Sequence, residues 1–597
     1  MELAEIIFKA LKNEEISKKT AAEILTVLKR NEKFNAQDIA VIGISLRFPG
    51  ANNVKEYWNK ISSGQDCITN YSVVREKDSK PFVLNFSGLK EGEFKYAPGG
   101  YLDDIDKFDY EFFKISPAEA KLMDPNQRLF LETVWSALED AGLSKDKLKG
   151  SKTGVYLGYA NAPLYSQLIS KKSPEKYQMS VAGNVSSIIA SRISYMMDLR
   201  GPSMLIDTAC SSSMVATHMA CKALINGECE MAISGGVKIN LVPVEGEAKI
   251  GIESSCGVTK TFDDKSTGTV WGEGVAALIL KPLKNAIIDR NQIYAVIKGS
   301  AVTQDGASVG ITAPNKKAQT EVICRAWQEA KIDPQTISYI EAHGTGTQLG
   351  DTIEIEALSD AFARYTEKKQ FCGIGSVKTN IGHLDTMSGM AGLIKAILSL
   401  KNGMIPPMLH LHKPNRKINF INSPVFINDS LKLCTKTGHP LRFGISSFGF
   451  SGTNCHIVIE EAPKLENSLI NFKYQILTVS ATCKEQLQIL AQNYLNDIND
   501  IDDEIIENLC YTSNVGRNHY QYRLAIIAEN KSDLINKLSS VIDNRFTDLD
   551  EWTFYGEHRV ISSDRPDRKQ GDLTEEEKGI LNIEAEKYTT NIDLVDE

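Results

Sequence analysis

The sequence predicts an α/β protein built in layers, and three observations lead to that prediction. Apolar runs of strand length alternate with stretches of helical period from Asp38 to Glu461. The runs are apolar at successive positions, which is typical of strands buried on both faces of a sheet. The composition, with 42% hydrophobic and 24% charged residues, is that of a globular protein. Helices are therefore expected to cover both faces of the sheet.

The elements of this region follow from those runs. Seven strands are predicted, at Ile39–Ile44, Val155–Tyr159, Met231–Ile239, Ala276–Leu280, Ala295–Gly299, Ile337–Glu341 and His456–Ile459. Four helices are predicted, at 126–142, 212–226, 318–331 and 388–402. The alternation ends at residues 461–463, where a proline marks a domain boundary.

The two ends of the chain differ from this central region. Residues 1–36 predict two short helices, either a docking or dimer segment or a linker after an upstream domain. Residues 463–597 predict a small α/β module, with a highly charged tail at 556–597 that is expected to be ordered only in part. Its predicted strands are Tyr474–Ser480 and Arg523–Glu529, and its predicted helices are 483–496, 503–512 and 531–543.

Charge and cysteine usage exclude several classes of function. A net charge of −9 argues against a nucleic-acid surface as the main function. No apolar stretch approaches the ~18 residues of a membrane span, and Glu2 and Glu5 stand where a signal peptide would need an apolar core. The eleven cysteines form no CxxC pair and no zinc-like cluster. We therefore expect a cytoplasmic protein without a structural metal.

One cysteine lies where a strand leads into a helix. An apolar run at 204–206 is followed by small residues, and a helix begins near Met214. Cys210 lies between them, where the unpaired N–H groups and the dipole of the helix favour a thiolate. A thiol pKa of about 8.5 is expected to fall by about a unit or more at such a site. Alone, Cys210 would more often be a buried core cysteine.

Two of the nine histidines favour a catalytic role for Cys210 over that of a core cysteine. His343 and His383 lie in glycine-rich or polar turns after strand-like runs, within segments 341–347 and 378–383. Glycine lets the backbone turn sharply and lets a ligand approach closely, so both rings are expected to face a cleft. With Cys210 they predict a nucleophile and two proton or oxyanion partners.

This trio suits the joining of two acyl thioesters. The thiolate would take an acyl group, and a malonyl-type thioester would then lose CO₂. Neutral histidines would donate N–H bonds to the enolate oxygen, and backbone N–H groups near Cys210 would stabilise the tetrahedral oxyanion. The chemistry requires no metal or redox cofactor, so none is expected to be bound.

A third glycine-rich segment, Phe443–His456, is predicted to form a tight loop lining the same cleft before it enters a strand. His456 is interpreted as structural, because it begins a buried strand. Phe448 and Phe450 can be plain core residues. Lys378 and Glu354 are either a surface pair or a buried pair that holds His383, and we favour the second interpretation.

These motifs, in this order, closely resemble the β-ketoacyl synthase (ketosynthase) domains of modular polyketide synthases. The resemblance covers about 38–462 and implies a thiolase-like αβαβα five-layer sandwich of two similar halves, an obligate homodimer and acyl carrier protein substrates. It places the ketosynthase domain at 37–462 and a flanking α/β subdomain at 463–597. The matching segments are Asp124–Arg128, Asp207–Ser213, Glu341–Thr347, Lys378–His383 and Phe448–His456.

The resemblance also implies a role for each matching residue. Cys210 would be the acylated nucleophile, and His343 and His383 would drive decarboxylation and condensation. The backbone N–H groups of Cys210 and Phe450 would form the oxyanion hole, with the Phe450 ring as a gate. Carrier proteins would deliver both substrates on 4′-phosphopantetheine arms. Two residues would support the histidines: Lys378 and Glu354.

The subtype resembles the trans-acyltransferase group in segments 251–255, 268–274, 304–315 and 554–558. No acyltransferase signature occurs, so a separate protein would load the malonyl group. The chain departs from the usual pattern in ways that leave its substrate preference open. The departures are Cys256–Val258, Asp385–Ser388 and Cys455.

Chain elongation by this acyltransferase chemistry is the leading hypothesis, because the His343 motif is intact. The alternative is a non-elongating domain that transfers an acyl chain or serves as a scaffold. A thiolase is disfavoured, because Asn454-Cys455-His456 stands where thiolases generally carry a second catalytic cysteine in a Cys-x-Gly motif.

Overall fold

Apolar runs of the sequence become strands buried on both faces. The computed structural model describes residue 17 and residues 37–86, 89–161, 163–245, 251–435, 438–464, 473–543, 545–547 and 549–558. The strands are β1 (Ile39–Arg47), β2 (Thr153–Gly158), β3 (Ser203–Ile206), β4 (Met231–Lys238), β5 (Gly274–Pro282), β6 (Ala295–Gln304), β7 (Ile337–Glu341), β8 (Cys372–Gly375), β9 (Met404–Ile405), β10 (Val425–Ile427), β11 (Lys432–Leu433), β12 (Arg442–Phe448), β13 (Thr453–Glu461), β14 (Gln475–Ala481), β15 (Tyr522–Ala528) and β16 (Thr553–Glu557).

Helices separate most of these strands along the chain. They are α1 (Val54–Ser62), α2 (Val73–Phe86), α3 (Pro117–Leu122), α4 (Pro125–Asp140), α5 (Lys145–Leu148), α6 (Leu164–Lys172), α7 (Tyr177–Asn184), α8 (Ser186–Met197), α9 (Ser212–Ile225), α10 (Leu283–Ile288), α11 (Lys316–Ala330), α12 (Gln348–Ala363), α13 (Lys378–Ile381), α14 (Ser388–Asn402), α15 (Lys484–Asp500), α16 (Ile506–Val515) and α17 (Lys531–Asp543).

Two halves with the same strand pairing make up the large sheet. In the first half the order is β3-β2-β4-β5-β1, and in the second it is β8-β7-β12-β13-β6, with β10 beside β8. In each half, two parallel pairings are followed by two antiparallel ones. The halves join where β1 pairs with β6. This repeat is the internal similarity that the ketosynthase resemblance implied.

Helices lie between and outside the two halves. In the centre, α9 contacts β2 and β4 of the first half and β6 and β13 of the second, and it packs against α14. The outer helices α4 and α8 pack on first-half strands, whereas α11 packs on β6 and β13. The central contact is close: a Cβ on Gly389 of α14 would lie 2.1 Å from Met214 Cγ of α9. The predicted five-layer sandwich is confirmed.

The C-terminal region forms its own compact unit. The division falls between Pro463 and Lys464, with Gly142–Asp146 grouped with the second unit. An antiparallel sheet in the order β14-β15-β16 is packed by α15, α16 and α17 around a separate hydrophobic core. A small α/β flanking subdomain is therefore present, and the predicted helix at 531–543 coincides with α17.

Several elements differ from the predictions. Residues 443–448 form strand β12 and residues 453–456 belong to β13, so only residues 449–452 of that glycine-rich segment form a turn. The predicted elements also omit the strands β8–β11 and β16 and the helices α1–α3, α5–α8, α10, α12 and α13. The predicted helices within 1–36 and the predicted tail beyond residue 558 lie outside the described residues.

Candidate active site

Cys210 lies in the turn between β3 and α9. The preceding residue, Ala209, has a φ of 55°, a left-handed conformation that residues with a side chain rarely adopt. The hydroxyl of Ser212 holds the turn, because it accepts a hydrogen bond from the Thr208 N–H at 2.9 Å and donates one to the Ala209 carbonyl at 2.6 Å. Only 4% of Cys210 is exposed.

Two backbone N–H groups lie at the Cys210 sulfur. One belongs to Cys210 and the other to Phe450, and both are close enough to favour the charged form of the sulfur. The Phe450 loop can approach because Gly449 has no side chain: a Cβ there would lie 2.3 Å from the Thr208 carbonyl oxygen. Two N–H donors that converge beside a nucleophile have the arrangement of an oxyanion hole.

The pKa of the Cys210 thiol differs from the expectation. Burial, together with the charge of Asp385, raises the pKa of Cys210 to about 12, although the two N–H groups and Lys378 act in the opposite direction. The expected lowering is therefore wrong for the resting protein, and the thiol is protonated near neutral pH. A protonated thiol would have to lose its proton in order to act as a nucleophile.

His343 follows β7 in a turn that is held from both sides. Glu354 of α12 accepts hydrogen bonds from the N–H of His343 at 2.7 Å and from the next N–H at 2.9 Å, and Lys378 donates to the His343 carbonyl oxygen. The His343 ring centroid lies 5.8 Å from that of His383 and 5.7 Å from that of Phe448. Its Nδ1 has no partner among the described residues.

His383 lies just before α14 and is also fully buried. Its Nδ1 accepts a hydrogen bond from the Asp385 N–H at 2.9 Å and contacts the Ser388 hydroxyl at 2.8 Å. Its Nε2 has no partner within the described part of the chain. Leaving a buried ring N–H without a partner costs about 1–3 kcal/mol, so the atom is placed to meet a ligand.

Both histidines are neutral. Burial lowers the pKa of His383 to about 3, with the charge of Lys378 acting in the same direction. Burial, Lys378 and His383 together hold the pKa of His343 well below its ordinary range. A neutral imidazole can donate an N–H bond to a developing oxyanion without bringing a full charge into the site.

Lys378 and Glu354 are both buried, so the surface-pair interpretation is wrong. They hold the backbone of His343, whereas the expectation was that they hold His383. Burial lowers the pKa of Lys378, and nearby carboxylates oppose that effect. Burial raises the pKa of Glu354 to about 7, although its two N–H donors act against it.

The structure adds residues that the sequence had not singled out. The Ser447 hydroxyl donates to the Cys210 carbonyl at 3.1 Å, which ties β12 to the nucleophile turn. The Trp271 ring lies 5.1 Å from the His383 ring, centroid to centroid. Buried Asp351 accepts the N–H groups of Phe262 and Gly346. Only tertiary contacts between segments far apart in the chain reveal these roles.

His456 lies within β13, and its ring is 6.3 Å from that of Trp327, centroid to centroid, with Nδ1 3.0 Å from the Ser446 hydroxyl. This packing against the outer helix α11 suits a structural residue. Within the described ranges, no group of three or more histidine, cysteine, aspartate or glutamate side chains could hold a metal ion. No described helix is both long and apolar enough to span a bilayer.

Comparison with known protein families gives a consistent result. The family model of the β-ketoacyl synthase N-terminal domain matches residues 36–286, and that of the C-terminal domain matches 294–412. A third model, the CurL-like polyketide synthase C-terminal region, matches 475–538. The chain belongs to the β-ketoacyl synthase family, whose members are condensing enzymes of the acyltransferase type.

Individual relatives are polyketide synthases. Polyketide synthase PksL of Bacillus subtilis is 39% identical over 557 residues, which are 92% of this chain and 12% of that protein. Polyketide synthase PksN of the same organism is 40% identical over 544 residues, which are 87% of this chain and 10% of that protein. The chain therefore spans only a small part of the length of these two relatives.

A solved structure agrees over nearly the whole chain. The ketosynthase from module 6 of the bacillaene synthase of Bacillus subtilis superposes with a TM-score of 0.77 at 38% identity, covering 93% of this chain and 92% of that one. The expected likeness to modular trans-acyltransferase ketosynthases, including the C-terminal flanking subdomain, is confirmed. The roles of the individual site residues stay predictions.

Proposed function

We propose that this chain elongates a polyketide by decarboxylative Claisen condensation, with Cys210, His343 and His383 as its catalytic residues. One observation carries the proposal. Two neutral, buried imidazoles with centroids 5.8 Å apart each have a ring nitrogen without a partner among the described residues. The N–H groups of Cys210 and of Phe450, from two separate loops, lie close enough to the sulfur to favour its charged form. This set of groups matches the charges that develop in the reaction.

The first half-reaction transfers the acyl group. The Cys210 sulfur attacks the carbonyl carbon of an acyl thioester, and the C–S bond to the carrier's phosphopantetheine arm breaks. The Cys210 proton passes to the departing thiolate, giving an acyl-enzyme and a free carrier thiol. The N–H groups of Cys210 and Phe450 stabilise the tetrahedral oxyanion. The Phe450 ring is proposed to gate the pocket.

The second half-reaction forms the carbon–carbon bond. The carboxylate of a malonyl carrier leaves as CO₂, and its bonding pair becomes an enolate whose oxygen accepts N–H bonds from His343 and His383. The enolate carbon attacks the carbonyl carbon of the Cys210 thioester, the C–S bond breaks, and the Cys210 thiolate takes up a proton from solvent. The product is a β-ketoacyl carrier. Lys378 and Glu354 support this step by holding the His343 backbone.

A non-elongating transfer or scaffold domain is the alternative function. It would accept the acyl group on Cys210 and have no use for two buried imidazoles whose ring nitrogens lack partners among the described residues, which is why elongation is favoured. The thiolase hypothesis is further weakened, because Cys455 lies fully buried within β13 and burial raises the pKa of its thiol far above the ordinary value.

The proposed partners follow from the chemistry and from one exposed edge. Acyl carrier proteins supply both thioesters, and a separate acyltransferase loads the malonyl group in the cytoplasm. The edge strand β3 pairs with β2 alone, and Met204 on it is 42% exposed, close in sequence to Tyr195, which is 83% exposed. An open edge with apolar side chains suits pairing with a second copy, so we propose a homodimer.

One assay tests the proposed reaction. The protein is given an acyl thioester and then malonyl carrier protein, and CO₂ and the carrier mass are followed. Elongation predicts CO₂ release together with a β-ketoacyl carrier. Acylation of Cys210 with neither outcome would instead establish the non-elongating alternative.

A further inference from the structure

The turn after His383 determines which ring nitrogen carries the proton. The Asp385 N–H can only donate, and it lies 2.9 Å from His383 Nδ1. Nδ1 must therefore be the acceptor, so the proton of the neutral ring is on Nε2. The Ser388 hydroxyl lies 2.8 Å from the same Nδ1. Because Nδ1 has no proton to offer, Ser388 is the donor in this pair.

Ser388 is held where it can do this. It is the first residue of α14 and is 3% exposed. The next residue, Gly389, packs against Met214, and the Met390 N–H donates to Ser213 Oγ at 3.1 Å. The first turn of α14 is therefore fixed to the helix that follows Cys210, which leaves the Ser388 hydroxyl little freedom to move away from His383.

The second donor is fixed as well. Asp385 has a left-handed φ of 51°, and its carboxylate pairs with Lys238 of β4 at 2.8 Å. That ion pair holds the peptide that directs its N–H at Nδ1. Two donors therefore point at one side of the ring, while the opposite nitrogen, Nε2, is left without a partner in the described structure.

We propose that Ser388 is a positioning residue for the decarboxylation step: its hydroxyl fixes His383 as the Nε2–H tautomer and keeps that proton directed at the thioester oxygen. The inference rests on the proposed condensation. A ring held by the Asp385 N–H alone could tilt or accept a proton at Nδ1. Ser388 opposes both, since a proton on Nδ1 would face two donors.

The charged and titratable groups around the ring are known, so a pH profile can be interpreted. Lys378 and Lys238 disfavour a proton on His383, Asp385 favours one, and the neutral His343 ring faces it. Removing the Ser388 hydroxyl leaves all of these in place. Any shift of the acid limb of the profile in such a variant therefore reports on the hydroxyl itself.

The test uses the full chain with Ser388→Ala, Ser388→Thr and a matched control, Ser399→Ala. Ser399 lies in the same helix, is fully buried and donates to the Lys395 carbonyl at 2.8 Å, away from His383. Each variant is assayed for Cys210 acylation by intact mass and for CO₂ release from malonyl carrier protein across pH. Only a tautomer effect, and not a folding defect, should separate these two activities.

We expect Ser388→Ala to lower kcat for CO₂ release by about ten- to hundredfold and to move its acid limb to higher pH. The KM for the malonyl carrier and the acylation rate should stay within about twofold of the wild-type values. Ser388→Thr should restore kcat and the wild-type position of the acid limb. If Ser388→Ala kept the wild-type kcat and pH profile, the inference about Ser388 would be overturned, while the proposed condensation would stand. A wild-type protein that acylates but releases no CO₂ would overturn the proposed function and this inference together.

Discussion

The two halves of the ketosynthase share one strand pattern but contribute different chemistry. In the first half the strand β3 leads into Cys210, and in the second the equivalent strand β8 leads into Lys378 and His383. The strands beside them differ as well, since β7 leads into His343 whereas β2 leads into Tyr159. The nucleophile thus comes from one half and the imidazoles from the other.

This difference indicates that the two halves of one fold can serve different steps of a reaction. The first half offers a thiol and a turn shaped by small side chains, suited to capture of an acyl group. The second half holds both imidazoles, which burial and the charge of Lys378 keep neutral. Acyl capture and carbon–carbon bond formation should therefore be separable by substitutions in different halves.

The largest expected effect is in the first half. Cys210→Ala removes the sulfur that becomes acylated, so acyl uptake should fall by about 10⁴-fold or more. Intact-protein mass spectrometry after incubation with an acyl thioester measures it. Cys221→Ala, another buried cysteine on α9, is the control and should acylate normally. If Cys210→Ala still gained the acyl mass, Cys210 of the first half would not be the acylated residue.

The second half should give the opposite pattern. His343→Ala removes an N–H donor to the enolate, so product formation should fall by about 10²–10⁴-fold while Cys210 still acylates within a few-fold of the wild-type rate. Timed acylation and β-ketoacyl carrier formation, measured on one preparation, provide both numbers. Equal loss of both activities would show that the halves do not divide the reaction.

The pKa of the Cys210 thiol can be tested by its reactivity towards an alkylating agent. Because burial raises the pKa of Cys210 to about 12, its thiolate fraction should grow about tenfold per pH unit from about pH 7 to 10. The rate of alkylation by iodoacetamide should follow that slope. Burial acts to raise the pKa of exposed Cys256, but its hydrogen bonds with the Ser254 and Thr267 hydroxyls and the Val258 backbone together lower it, so its alkylation rate should level off first. A Cys210 plateau below about pH 8 would mean that the helix N-terminus outweighs burial.

The smallest effect is expected at His456. His456→Asn can keep the contact with Ser446, so acylation and condensation should stay within about threefold of the wild type. The thermal midpoint should fall, because the smaller side chain leaves a cavity beside Trp327 in a closely packed core. Differential scanning fluorimetry and the two activity assays check this. A selective loss of condensation would place a third histidine in the mechanism.

The sequence was sufficient for features that are local in the chain. The strand-to-helix position of Cys210 and the turn positions of His343 and His383 followed from apolar runs and glycines. Strand β12 was missed because its glycine and serines imitate a loop until β7 and β13 pair with it on both sides. Pairing energy across the sheet overrides the local propensity there.

Other features depend on contacts that no local pattern records. The support that Lys378 and Glu354 give to His343 needs α12 and α13 to meet at the end of β7. The raised pKa of Cys210 needs the burial that the whole fold supplies, which outweighs the helix dipole visible in the sequence. The contact of Ser388 with His383 depends on the conformation of the turn between them.

A single-turnover experiment tests the division between the halves most directly. Wild type and His383→Ala are first acylated on Cys210, then mixed with malonyl carrier protein, and the mass of each enzyme is followed with time. We predict that the wild type loses its acyl mass as the lengthened carrier appears, while His383→Ala keeps its acyl group. Discharge of the variant into lengthened product at the wild-type rate would contradict the account.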